Sequence, residues 1–291
     1  MASCGNTSPC CRQSVAKGYA SRWHGVPVPY CKPMRFLLVS DLHYALKQFD
    51  WVYRTAGDFD LVVIAGDHLD IAGTVDLRAQ MSVMLTYFRR LQTKTRLILC
   101  SGNHDLDANN ALGEKTARWI ETKVRRLGIP TDGDAFPFDG VLFTICPWWD
   151  GPKTRALVGE QLAQDAAMAK DAWVWVYHAP PDASPTGRVG EKDFGDSALR
   201  EWINRYQPDL VLSGHIHQAP FRQDGSWVDR IGSTWVFNPG RQIGDCPTHV
   251  ICDTEQRMAL WFSLAGAEVI RLDEPLSRPV AELTELPAWL R

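Results

Sequence analysis

The chain has no apolar run near the roughly 18 residues that a membrane-spanning helix needs, so a membrane partner is not expected. Its first residues, MASCGNTSPCCRQ, lack a basic start followed by an apolar stretch. No secretory signal is expected from them, and a cytoplasmic location is. Charge of one sign is also missing. A net charge of −3 and a pI near 6.2 give no electrostatic reason for tight binding to bulk nucleic acid. Nor does the chain carry the basic, aromatic-interleaved stripe of a repair nuclease. Eight cysteines are present but none forms a C-x-x-C pair. Cys4, Cys10, Cys11 and Cys31 sit early, and Cys100, Cys146, Cys246 and Cys252 are scattered; most are expected as reduced thiols. Cys100 and Cys146 fall in apolar runs, where the thiol behaves as a small hydrophobe. There is no fixed-period repeat, and no linker divides residues 35–270.

What is present is ordinary for a globular protein: 45% apolar and 22% charged residues over 291 positions, enough for one large α/β domain. Residues 1–33, rich in Ser, Gly, Pro and Cys, read as an extension; residues 34–270 read as the domain and residues 271–291 as a tail. Phe36–Val39, Leu61–Ala65 and Leu97–Cys100 are short continuous apolar runs, the mark of strands buried on both faces. Between the second and third, Leu77, Met81, Met84, Leu85, Phe88 and Leu91 recur at helical spacing. Ala117, Ile120, Val124 and Leu127 predict another helix, which Gly128 and Pro130 would stop. The second half repeats the alternation: a strand at Val141–Cys146, a helix over 153–170 and a strand at Trp173–Tyr177. A helical stripe at Leu199, Trp202, Ile203 and Tyr206 precedes a strand at Asp209–Ser213. Short strands at Ser233–Phe237, His249–Cys252 and Arg257–Phe262 follow. Strand–helix–strand alternation predicts parallel strands joined by crossovers.

Five motifs follow the apolar strands: Asp41-Leu42-His43, Gly66-Asp67, Gly102-Asn103-His104-Asp105, His178, and Gly214-His215-Ile216-His217. Singly each has a bland explanation. Asp41 and Gly66-Asp67 could shape turns, Gly102–Asp105 could be a tight turn because Asn and Asp tolerate left-handed backbone, and a His-x-His pair could end a strand. Together they obey one positional rule, since every one lies just past the C-terminal end of a strand, where open α/β sheets bind ligands. Carboxylate oxygen and imidazole nitrogen suit Mn, Fe, Zn or Ni, and no cysteine stands at these positions. His68 is spare, with a surface or supporting role expected, and Asp70 is read as a support of its loop rather than a ligand. His24 and His249 have no motif context.

These motifs, complete and in order from about residue 35 to 240, resemble the signature of the calcineurin-like metallophosphoesterases. The resemblance implies a four-layer αββα sandwich, an α/β (α+β) arrangement of two packed mixed sheets flanked by helices. It implies two divalent metals, the first held by Asp41, His43 and His217, the second by Asn103, His178 and His215, with Asp67 bridging them. His104 would face the leaving-group oxygen and Asp105 would orient it. Two cations roughly 3.5–4 Å apart hold phosphate oxygens and make a shared water acidic enough to attack phosphorus in line. The expected function is hydrolysis of small phosphodiesters or phosphomonoesters, with a small phosphate ester as partner. The alternatives are a DNA or RNA nuclease with the same metal site and a metal-free scaffold. The stretches around His178 and His215 resemble the small, Icc-like bacterial enzymes, and Asp105 stands where the protein phosphatases are expected to have Glu. For the substrate, Trp148 and Trp149 offer either a flat aryl surface or core packing. Arg188, Lys192, Arg222 and Arg241 are cations in the later loops.

Overall fold

The computed structural model of the protein describes residues 33–290. The expectation of an N-terminal extension, with Cys4, Cys10, Cys11, Cys31 and His24, falls almost wholly outside the described residues. Two mixed sheets carry the fold. In the first, β1 (Arg35–Val39) pairs in parallel with β2 (Leu61–Ala65), and β2 with β3 (Arg96–Cys100). On its other side β1 pairs antiparallel with His249–Asp253, and the sheet continues through Met258–Ser263, Gly266–Arg271 and Ala281–Glu282. The second sheet has six strands in the order Val228–Ile231, Thr234–Phe237, Leu210–Leu212, Ala172–Val176, Val141–Ile145, Ala135–Phe138. Its four central strands are parallel and both edges are antiparallel.

Alternating side chains explain the layering, because successive residues of a strand point to opposite faces. Phe36 and Leu38 of β1, Val63 of β2 and Ile98 of β3 pack between the sheets against Phe143, Val174, Leu212 and Phe237. The interleaved Leu37, Val39, Val62, Ile64 and Leu99 face outward and are covered by α1 (Leu46–Thr55) and α2 (Leu77–Gln92) through Phe49, Val52, Met81, Met84 and Phe88. On the far side Leu142, Trp173, Trp175 and Val211 meet Val158 and Leu162 of α3 (Pro152–Ala166) and Leu199 and Ile203 of α4 (Ser197–Tyr206). Helix, sheet, sheet, helix is the four-layer sandwich expected.

The stripe at Ala117, Ile120 and Val124 is buried as a helix face would be, and residues 118–127 are helical, wound as a π-turn over Ile120–Val124 and as a 3₁₀ turn over Arg125–Leu127, with Gly128 at φ +74° ending them as expected. Trp119 fastens the start of the segment: its N donates to Asp107 Oδ1 and its Nε1 to Asp105 O. One expectation is corrected. The stretch read as a tail returns Ala281–Glu282 to the edge of the first sheet. Cys100, Cys146, Cys246 and Cys252 are free thiols.

Candidate metal centre

Because both sheets run their parallel strands toward one end, the loops after β1, β2 and β3 meet the loops after Ala172–Val176 and Leu210–Leu212. His178 crosses the gap, its Nδ1 donating to Ala65 O at 2.7 Å. His215 N crosses in the same way, donating to Asp41 Oδ2 at 2.9 Å. Asp41, His43, Asp67 and His215 all have φ between +40° and +66°, so four of the nine described non-glycine residues at positive φ are candidate ligands. Such backbone costs about 1–3 kcal/mol per residue and persists where its surroundings enforce it. Gly102 and Gly214 are needed for a different reason: a Cβ on either would collide with the carboxylates of Asp67 and Asp41 respectively.

Six side chains converge. Asp41, His43, Asp67 and His217 form one group of potential donors whose ligand atoms lie within 4.8 Å of one another. Asp67, His178 and His215 form a second such group, and Asp67 belongs to both. His217 Nε2 stands 3.1 Å from Asp41 Oδ1 and 3.1 Å from His43 Nε2, and His43 Nε2 stands 3.6 Å from Asp67 Oδ2. His178 Nε2 is 3.2 Å from Asp67 Oδ2, close enough for attraction but without hydrogen-bond geometry. Asn103 Oδ1 is likewise buried with no hydrogen-bond partner. Buried polar atoms are nearly always paired. Gathered carboxylates and imidazoles, with an unpartnered amide oxygen beside His104 in the chain, are a donor set that fits borderline divalent cations.

The electrostatics agree. Burial holds His43 and His215 down to about 4, so both rings are neutral at pH 7 with a lone pair to give. Burial also acts to lower His178, but Asp67 and Asp41 outweigh it and lift the ring to about 9. Burial acts to raise Asp41 and Asp67, yet His178 and its neighbours pull both below the usual carboxylate range. Two ionised carboxylates thus lie almost fully buried among imidazoles.

His104 stands at this cluster, its ring edge-on to His43 with centroids 4.4 Å apart, and its backbone N–H donates to Asp67 Oδ1 at 2.9 Å. Asp105 does not orient it, contrary to expectation. The Asp105 carboxylate instead accepts from Gly102 N, His68 N and Leu69 N, and from the His68 ring at 2.9 Å. His68 is not at the surface; it is wholly buried, edge-on to Phe88 and Trp119. This pair ties the Asp67 loop to the Asn103 loop. Asp70 goes beyond its expected supporting role, and the two tryptophans divide between the alternatives open to them. Asp70 joins His43 and His104 in a third donor group, which the Asp67-x-x-Asp70 spacing could have suggested. Trp148 lies 5.1 Å from the His215 ring and 5.7 Å from His178. Trp149 is core: it stacks on Tyr177 at 3.8 Å and donates to Asp196.

Fold and site together define a metallophosphoesterase. The calcineurin-like phosphoesterase family profile matches residues 34–219, and the chain belongs to that family. Among curated proteins it is 27% identical over 202 residues to purple acid phosphatase 21 of Arabidopsis thaliana, a match covering 64% of this chain and 44% of that protein. The chain therefore spans less than half the length of that relative. Among solved structures it resembles TT1561 of Thermus thermophilus, with a TM-score of 0.52 and 14% identity over 83% of this chain and 100% of the other. It also resembles the purple acid phosphatase PPD1 from yellow lupin (Lupinus luteus) seeds, with a TM-score of 0.51 and 14% identity over 88% of this chain and 54% of that one. At such identity these likenesses speak for the fold. No helix among the described residues is long and apolar enough to cross a membrane.

Proposed function

We propose that this chain hydrolyses small phosphodiesters or phosphomonoesters at a pair of divalent cations. The observation that carries this reading is Asp67, shared between two donor groups that meet at one sheet end. Asp41, His43 and His217 would hold one cation, Asn103, His178 and His215 the other, and Asp67 both. When bound, such a pair supplies Lewis acidity toward phosphoryl oxygens and an acidified water.

The chain's own groups set the rest. The Ala65 carbonyl accepts from His178 Nδ1, so Nε2 is the nitrogen that would give up its proton and offer a lone pair to a cation, as carbonyl and carboxylate acceptors arrange behind ligating histidines. Asp41 is held from the opposite sheet by His215 N, which keeps the two halves in register. His104, half-buried beside His43, would give a proton to the departing oxygen. Trp148 walls the site on the side of His178 and His215, where it excludes water and offers a face to a flat leaving group. The purple acid phosphatase relative supports the monoester branch of this reading.

Hydrolysis of bis-p-nitrophenyl phosphate and p-nitrophenyl phosphate by chelated protein, before and after reconstitution with Mn, tests it. Turnover should require the metal, and the preferred compound assigns diesterase or monoesterase. A chain that takes up no metal at all would be the scaffold instead.

A further inference from the structure

The walls of a cleft of about 770 Å³, whose lining includes Arg78, Met81, Leu106, Asp107, Lys115 and Lys123, are tied to the loops of the metal centre. Both walls continue from ligand loops. One is the first turns of α2, fastened to the loop after Asp67 by Gln80, whose side chain bonds Asp70 N, Asp70 O and Val75 O. The other begins at Leu106, two residues past His104, so their Cα atoms are within about 7 Å.

The charges of this cleft are uncommitted. Arg78, Lys115 and Lys123 are exposed, and among the described residues none has a carboxylate or hydrogen-bond partner at its cationic group. Some other surface cations do have one, as Arg35 pairs with Asp253, Lys47 with Asp245, Arg271 with Asp273 and Arg278 with Asp229. The acids in the lining are engaged by backbone. Asp76 caps α2, accepting from Arg78 N and Ala79 N, and Asp107 accepts from Trp119 N. Met81 and Leu106 add apolar surface to the lining. Three free cations in a cleft whose wall begins two residues past His104 suit a second anionic group on the substrate.

We infer that the cleft binds a second phosphate of the substrate, so that the preferred esters are small bisphosphorylated molecules. This rests on the proposed hydrolysis at the metal centre.

The test uses thymidine 5′-(p-nitrophenyl phosphate) with and without a 3′-phosphate, on metal-reconstituted wild type and the Arg78→Gln/Lys115→Gln/Lys123→Gln variant. In wild type the 3′-phosphate should lower KM about tenfold, as three exposed contacts allow, and high salt should shrink the gain. The variant should lose that gain while its kinetics on the compound without the 3′-phosphate stay within about twofold. Equal KM values in wild type, or an equal change on both compounds in the variant, would overturn the inference. Calorimetric titration of chelated protein with thymidine 3′,5′-bisphosphate separates this from failure of the hydrolase reading. If nothing is turned over but the variant binds the bisphosphate about tenfold more weakly than wild type, the cleft stands and the hydrolase reading falls. Equal binding by both overturns the cleft. An oligothymidylate displacing the bisphosphate at lower concentrations than the bisphosphate itself would overturn the small-substrate assignment in favour of a nucleic-acid strand.

Discussion

The two sheets bring unlike halves to the site. Of the proposed donors, the first carries the oxygens, Asp41, Asp67 and Asn103, and a single imidazole, His43; the second carries only imidazoles, His178, His215 and His217. The halves are also held differently. On the oxygen side, loops are laced to one another: Asp41 N, His43 N and Tyr44 N donate to Gly66, Asp67 and His68 carbonyls, and Asp105 gathers Gly102, His68 and Leu69. The imidazole side reaches the oxygen side through a few crossing bonds, those of His178 to Ala65 and of His215 and His217 to Asp41. Behind them stands the apolar layer between the sheets. The oxygen half is therefore rigid by local bonding, and the imidazole half by long-range packing. The metal centre is a joint between layers as much as a pocket.

The comparison can be sharpened by substitutions of decreasing consequence. His104 belongs to the oxygen half but is assigned no ligand role, so His104→Ala should spare metal content and cost about 10²- to 10⁴-fold in turnover of esters with poor leaving groups. The loss should be much smaller with p-nitrophenolate, and an equal loss on both would remove the proton-donor role. Asp105→Ala unlaces the oxygen half without touching a donor atom. Metal affinity should fall about 10- to 100-fold, as when the hydrogen-bond partners behind metal ligands are removed, and His68→Ala should fall in the same direction. Unchanged affinity in competition with a chelator would show that the oxygen half does not depend on this tie.

The smallest effect on catalysis concerns an imidazole outside both halves. His249 is buried between Trp51 and Phe262, and burial holds it down to about 4. Its folded value lies below the ordinary histidine value of 6.5, so the stability it contributes is present above 6.5 and is lost as pH falls toward about 4. His249→Phe should flatten that acid limb in thermal melts and leave turnover untouched. An acid limb as steep as in wild type would mean that other groups carry it.

Much of this was legible in the sequence, for a physical reason. Strands buried on both faces are continuous apolar runs, and the polar residue that ends each run is forced to the sheet's end; Asp41, Asp67, Asn103, His178 and His215 all follow that rule. The role of Asp105 was not legible, because its neighbour in sequence, His104, is not its neighbour in space. The His68 ring reaches it only through the close approach of the β2 and β3 loops. Helix α1 escaped notice because its apolar face is short, with Phe49 and Val52 buried beside the polar Gln48. The segment after Ala117 shows the reverse: its helical spacing is plain in the sequence and the helix forms, although its π and 3₁₀ winding is not something that spacing reveals. Trp148 and Trp149 are adjacent and chemically identical, and only packing makes one a wall of the site and the other core.

The central claim is that Asp67 is common to two metal positions while His178 serves one. Metal content by atomic emission, on wild type, Asp67→Ala and His178→Ala after identical reconstitution and desalting, tests it most directly. The account predicts two equivalents in wild type, one in His178→Ala and none retained in Asp67→Ala, with turnover lost in step. Two equivalents retained by Asp67→Ala, or equal content in the two variants, would contradict it.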